Sequence, residues 1–119
     1  MTQNTNPPER WSTDAGARDV AQLTVPPDAR RDRRFEVFCH FVVARKGEAD
    51  AEAWHGMRID VNGSLEWSRR VPTENPGHTD LLDYRFRREV PAGQALRIAV
   101  RTEVRNAARV RLALEAEEG

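Results

Sequence analysis

From Val20 to the end of the chain, large apolar residues recur at every second position and almost never at helical spacing. No other feature constrains the fold as tightly. Successive side chains of a strand point to opposite faces, so a period of two describes strands with one buried face. Ala21, Leu23 and Val25 alternate with Gln22 and Thr24 until Pro26-Pro27 stops the run, as at a short edge strand. Phe35, Val37, Cys39, Phe41 and Val43 alternate strictly, and the intervening Phe38 and Val42 are also apolar. That strand is expected to be central and covered on part of its second face.

Asn62-Gly63 marks a hairpin, but a two-residue turn with an unbroken ladder would pair Val61 with Ser64 and Ile59 with Glu66, setting apolar against polar. An odd loop, Asn62-Gly63-Ser64 with a local bulge, pairs Val61 with Leu65 and Ile59 with Trp67, so that all four share the core face. In the last forty residues the inward set is even-numbered: Leu82, Tyr84, Phe86 and Val90, then Leu96, Ile98, Val100 and Val104, then Val110, Leu112, Leu114 and Ala116. Turns at Pro91–Gln94 and Asn106–Ala108 make these runs an expected antiparallel meander. Arg88 is the misfit of the set and is expected near an edge with its head in water.

The reading is an all-β, antiparallel two-layer β-sandwich of about seven strands, near 20–25, 34–44, 54–61, 65–71, 80–90, 95–104 and 109–117. It forms one domain over residues 20–119, preceded by a flexible N-terminal arm at 1–19. Trp11 is the single large apolar side chain of that arm, so it either folds back onto the body or anchors a partner. The stretches MRIDVNGSLEW and VPAGQALRIAV resemble the strand rhythm of galactose-binding-type jelly rolls and many other β-sandwich modules. This likeness covers two hairpins and implies the fold class alone.

Charge narrows the partners. The chain carries 19 basic and 19 acidic side chains, a formal balance of zero, which argues against a polybasic nucleic-acid binder and against an acidic tail protein. Lys46 is the only lysine, a bias of GC-rich bacterial genomes that weakens arginine number as evidence for a special role. No apolar run approaches the roughly 20 residues of a membrane span, and the polar start lacks the apolar stretch of a secretory signal. Cys39 stands alone, so an internal disulfide framework is excluded and the cytoplasm is the expected compartment. Its place on the apolar set makes it a buried thiol rather than a nucleophile.

No motif for nucleophilic, phosphate-binding or metal chemistry is present at useful spacing. His78 and Asp80 could offer two ligands to a metal, but a solvated loop after Asn75-Pro76-Gly77 explains them. Asp60–Gly63 resembles the start of a calcium loop without its remaining acidic positions. No metal and no cofactor are therefore expected. Two surface features remain. Trp54, at a strand start, could form a platform for a sugar ring with His55, Arg58 and Arg69 as neighbours. In the expected meander Arg85 faces Arg101, near Arg87 and Arg105, which suggests a patch for an anion or an acidic protein. The same registers pair Glu89 with Arg97, Glu103 with Arg111 and Glu117 with Arg97.

These features point first to a non-catalytic protein-interaction or accessory module. It would bind another protein or a second copy of itself through a sheet face or edge, with Trp11 as a further contact. One alternative is a carbohydrate- or small-ligand-binding module built on Trp54 and the loops near 46–53 and 72–80. The other is a small enzyme in which His40, His55, His78 and Asp60 converge.

Overall fold

The computed structural model describes residues 7–47, 51–75 and 77–119. Its strands are β1 (Arg10–Asp14), β2 (Val20–Val25), β3 (Arg33–Arg45), β4 (Trp54–Val61), β5 (Ser64–Pro72), β6 (Thr79–Val90), β7 (Leu96–Arg105) and β8 (Ala107–Glu118). They form two antiparallel four-stranded sheets, one in the order β1-β8-β3-β6 and the other β2-β7-β4-β5. No helix among the described residues is long and apolar enough to cross a membrane.

The two sheets bury their inward faces against each other. Phe35, Phe41, Leu112 and Leu114 from the first sheet and Ile59 and Ile98 from the second are all at most 1% exposed. Each such side chain contributes about 1.5–3 kcal/mol through burial. As expected, β3 is central, between β8 and β6, and β2 is an edge.

Three expectations are corrected. First, there is an eighth strand inside the expected arm. Residues 10–14 pair with β8 in continuous register from Arg10↔Glu117 to Asp14↔Ala113. Trp11 folds back, packs against the core opposite Ala116, and donates its indole N–H to Glu9 at 3.1 Å. Residues 1–6 of the expected arm lie outside the described residues.

Second, the last three strands are not a meander. β6 pairs with β3, β7 with β2 and β4, and β8 with β1 and β3, so the chain crosses between sheets at each turn. At the first crossing the Gly93 N–H, with φ at +84°, donates to the Asp28 carbonyl, and the Ala92 N–H donates to the Asp32 carboxylate. At the second, Asn106 takes φ +50° and its amide holds the Glu52 carbonyl. A hairpin and a crossing both keep the even-numbered residues inward, so parity does not distinguish them.

Third, the odd residue of the β4–β5 hairpin sits in the strand, not in the loop. Asn62 and Gly63 both adopt positive φ, 50° and 84°, and close a two-residue turn with Val61 opposite Ser64. The register then slips between Ile59 and Asp60, so Ile59 pairs with Trp67 as expected while Leu65 faces Asp60 and is 55% exposed. Trp67 turns inward and stacks on Tyr84, with centroids 4.5 Å apart. A second bulge, opposite Val42 and Val43, leaves Val110 exposed where burial was expected. Behind it Arg109 donates to the Thr102 hydroxyl at 2.9 Å.

Glu9, just before β1, and Glu118, the last residue of β8, are tied together by ions. Arg33, whose side chain is 1% exposed, bonds Glu9 at 2.9 Å and the Pro26 carbonyl at 2.9 Å. Arg31 bridges Glu9 at 2.8 Å and Glu118 at 2.6 Å. Burial alone would raise the Glu118 pKa, but Arg31, the Glu9 N–H and Arg33 together hold it below the usual carboxylate value. Glu9→Ala strands Arg33 in the interior and is expected to cost about 3 kcal/mol in denaturant unfolding. Glu36→Ala, which breaks only the exposed bridge to Arg85, is expected to cost under ~0.5 kcal/mol.

Candidate functional site

Because β7 lies beside β4, the alternation that buries Ile59 and Val100 turns Arg58 and Arg101 outward, directly opposite each other. Partners in such a pair have Cα atoms about 4.5–5.5 Å apart, so two guanidinium groups start from adjacent backbone positions. One step along the ladder, Gly56 lies between Arg70 of β5 and Glu103 of β7. With no side chain at Gly56, the outer face sinks into a shallow hollow of about 550 Å³. Its walls are Arg58, Ser68, Arg69, Arg70, Arg101 and Glu103. A Cβ on Gly56 would come within 3.3 Å of the Arg69 carbonyl, so the floor has little room to fill.

Four arginines and one glutamate line this hollow. Arg70 pairs with Glu103 at 3.1 Å and Arg58 with Asp60 at 3.3 Å, both at exposed positions where pairing is weak. Among the described residues, neither Arg69 nor Arg101 has an ion-pair partner. A second hollow, about 300 Å³ over Ala113 on the opposite sheet, has mixed charge because Arg111 and Asp14 already meet there at 3.0 Å. Of these two hollows, the one over Gly56 is net positive.

The expected Arg85–Arg101 pair does not occur. Arg85 belongs to β6 of the first sheet, opposite Phe38, with its guanidinium 4.5 Å from the Phe38 ring and 3.4 Å from Glu36. The cross-strand pairs expected from the meander are replaced by Arg34–Glu89, Arg70–Glu103 and Arg111–Asp14. Arg101 does face a like charge, but on β4. Gly56 and Arg58 could have been found from parity alone once β7 was set beside β4, since both are even-numbered on a strand whose odd positions from Met57 onward are apolar.

Trp54 stands at the outer rim of β4, and the Arg70 guanidinium lies 3.7 Å from its ring centroid, occupying one face of the indole. Of the loops named with it, residues 48–50 and 76 lie outside the described residues. Trp11 is engaged by the core and Glu9. The histidines are apart: His40 bonds Asp83 at 2.6 Å on the outer face of the first sheet, His55 is 1% exposed in the core, and His78 is exposed. Asp80 accepts the main-chain N–H of Glu74 at 2.8 Å and closes the loop rather than turning to His78. Cys39 is fully buried, and burial pushes its thiol up to about 12, far from the thiolate a nucleophile needs.

His55 is the buried titratable group of the second sheet. Its Nδ1 meets the Thr73 hydroxyl at 2.6 Å, its ring lies edge-on to Phe41, and Nε2 finds no partner of good geometry. Desolvation lowers its pKa below 6.5, and the Leu81 main chain and the Asp80 charge oppose that shift without cancelling it.

Among solved structures, the crystal structure of dimeric latent PorU from Porphyromonas gingivalis contains a region similar to this chain. The match has a TM-score of 0.55 and 15% sequence identity and covers 91% of this chain. The chain spans only 10% of that protein's length, so the likeness is one of fold. The structure of infectious bursal disease virus Gt strain matches at a TM-score of 0.39 and 14% identity, over 93% of this chain and 37% of that one. Neither a protein-family model nor a curated protein matches the chain.

With the folded pKa of His55 depressed, the unfolded chain binds the extra proton as pH falls through 6.5, so the stability that neutral His55 provides is lost on acidification. Denaturant titrations between pH ~5 and ~7.5 are expected to show this slope, and His55→Gln is expected to reduce it. An unchanged slope in the variant would remove His55 as its source.

Proposed function

We propose that this chain is a non-catalytic interaction module that uses the outer face of its second sheet to bind an acidic segment of a partner protein. The observation that carries the reading is Arg58 opposite Arg101 beside the hollow over Gly56. Like charges directly opposite destabilise a sheet, and a carboxylate placed between them turns that repulsion into two charge-assisted hydrogen bonds. A protein partner suits the site better than a nucleic acid. The chain has no net charge to track a phosphate backbone, and Trp54, the aromatic nearest the hollow, already has one face covered by Arg70. The separation of His40 on the first sheet, His55 on the second and His78 in the bend before β6 favours binding over catalysis. A lone buried thiol suits a reducing compartment, and with the codon bias it supports a bacterial cytoplasmic setting.

Fluorescence anisotropy with a labelled oligo-glutamate peptide tests the site. Arg58→Gln with Arg101→Gln is expected to weaken binding about tenfold, or ~1.4 kcal/mol, and binding should fall further as salt is raised. Arg85→Gln, on the opposite sheet, is expected to leave it unchanged. No binding, or binding that survives the double substitution, would contradict the assignment.

A further inference from the structure

A two-layer sandwich has four sheet edges, and three of these are blunted. β1 has five residues, β2 has six and runs into Pro26-Pro27, and β5 carries the bulge at Glu66 and ends at Pro72. β6 is different. It is 12 residues long, and its ladder with β3 runs without a slip from Arg33↔Val90 to Ala44↔Thr79. Among the described residues its other side faces no strand, so a long and regular row of main-chain donors and acceptors is open. Such an edge is a template for another strand.

Charge along β6 specifies which strand. Asp80 and Asp83 lie in its first half and Arg85, Arg87 and Arg88 in its second, with Tyr84 between them; Glu89, near the end of the strand, falls opposite the uncharged Thr79 in the pairing below. A second β6 laid antiparallel about a two-fold axis at Tyr84 sets Asp83 opposite Arg85 of the second copy and Asp80 opposite its Arg88. Leu82 then faces Phe86, and each contact occurs twice. Odd residues meet odd and even meet even, so the inward faces of both copies stay continuous. Moving the axis to Asp83 or to Arg85 sets that residue against its own copy, like charge on like. Moving it between two residues sets inward positions against outward ones.

The Asp83 and Arg85 side chains remain able to reach and carry the charge match, whereas Arg88 is held by Glu66 at 2.7 Å and Asp80 by the Glu74 N–H at 2.8 Å. Asp83 is held by His40 at 2.6 Å and Arg85 by Glu36 at 3.4 Å, but both partners lie on β3, and the Asp83 and Arg85 side chains remain 35% and 62% exposed. Leu81, 55% exposed, would gain cover from the aliphatic stem of Arg87. At the axis Tyr84 is already fixed by its stack on Trp67, so little order has to be gained there.

We propose that two copies of this chain pair β6 against β6, antiparallel about Tyr84, joining their first sheets into one continuous sheet. The contact lies on the opposite sheet from the hollow over Gly56 and does not depend on peptide binding. Sedimentation equilibrium at low salt tests it. The wild-type chain is expected to dimerise in a concentration-dependent way, and Asp83→Arg or Arg85→Asp alone should raise the dissociation constant at least about tenfold. The combined Asp83→Arg/Arg85→Asp exchange should restore it to within about threefold. Circular dichroism and denaturant midpoints identify variants that fold. A wild-type chain that stays monomeric at millimolar concentration would overturn the proposal, as would a folded Asp83→Arg variant that dimerises normally, or a folded double exchange that does not recover.

Discussion

Every strand in this molecule must give one face to the space between the sheets, and the rest of the structure follows from that alternation. A single-residue slip would move an entire apolar set into water. The chain uses two such slips to correct itself. Past the turn at Asn62-Gly63, an unbroken ladder would put Trp67 on the solvent side. One extra residue at Glu66 moves it under β6 and against Tyr84. In β8 the slip at Val110 lets Ala107 at one end and Leu112 at the other both be buried. The same alternation fixes the outer faces, which is why the arginines of β4 and β7 meet at all.

How much of this was legible in the sequence depends on whether the signal was local. The burial of Phe35, Val37, Cys39, Phe41 and Val43 is written in their spacing, and the apolar Phe38 and Val42 between them mark the partial cover of the second face, where Glu36, Phe38, His40 and Val42 are half-buried. The pairing of β7 is not. Pro91–Gln94 has the composition of a hairpin turn, and both a hairpin and a crossing preserve parity, so nothing local separates a meander from a chain that changes sheets. The cost was the wrong neighbour for Arg101: Arg85 in place of Arg58. β1 was illegible for a different reason. Its five residues contain one large apolar side chain, and what holds it in place comes from Arg31, Arg33 and Glu118, far away in sequence.

The changes of sheet also divide the two surface roles. Sending β6 to the first sheet and β7 to the second gives β6 an open, charge-segregated edge and gives β7 a basic outer face beside β4. A meander would have closed the edge of β6 and brought its arginines onto the face shared with β7. The ion network at Glu9, Arg31, Arg33 and Glu118 ties the segment before β1 to the end of β8 on the first sheet, away from the hollow. Two of the three strands around the hollow, β4 and β7, are the inner strands of their sheet, and the third, β5, is its edge.

The central claim is that the hollow over Gly56 receives carboxylates. The most direct measurement is a titration of the 15N-labelled protein with an acidic peptide, followed by two-dimensional NMR. The account predicts that the largest amide shifts fall on Gly56, Arg58, Ser68, Arg101 and Glu103, with the Arg58 and Arg101 side-chain Nε–H signals moving alongside them. Shifts centred on β3, β6 and β8, or no shifts at all, would contradict it.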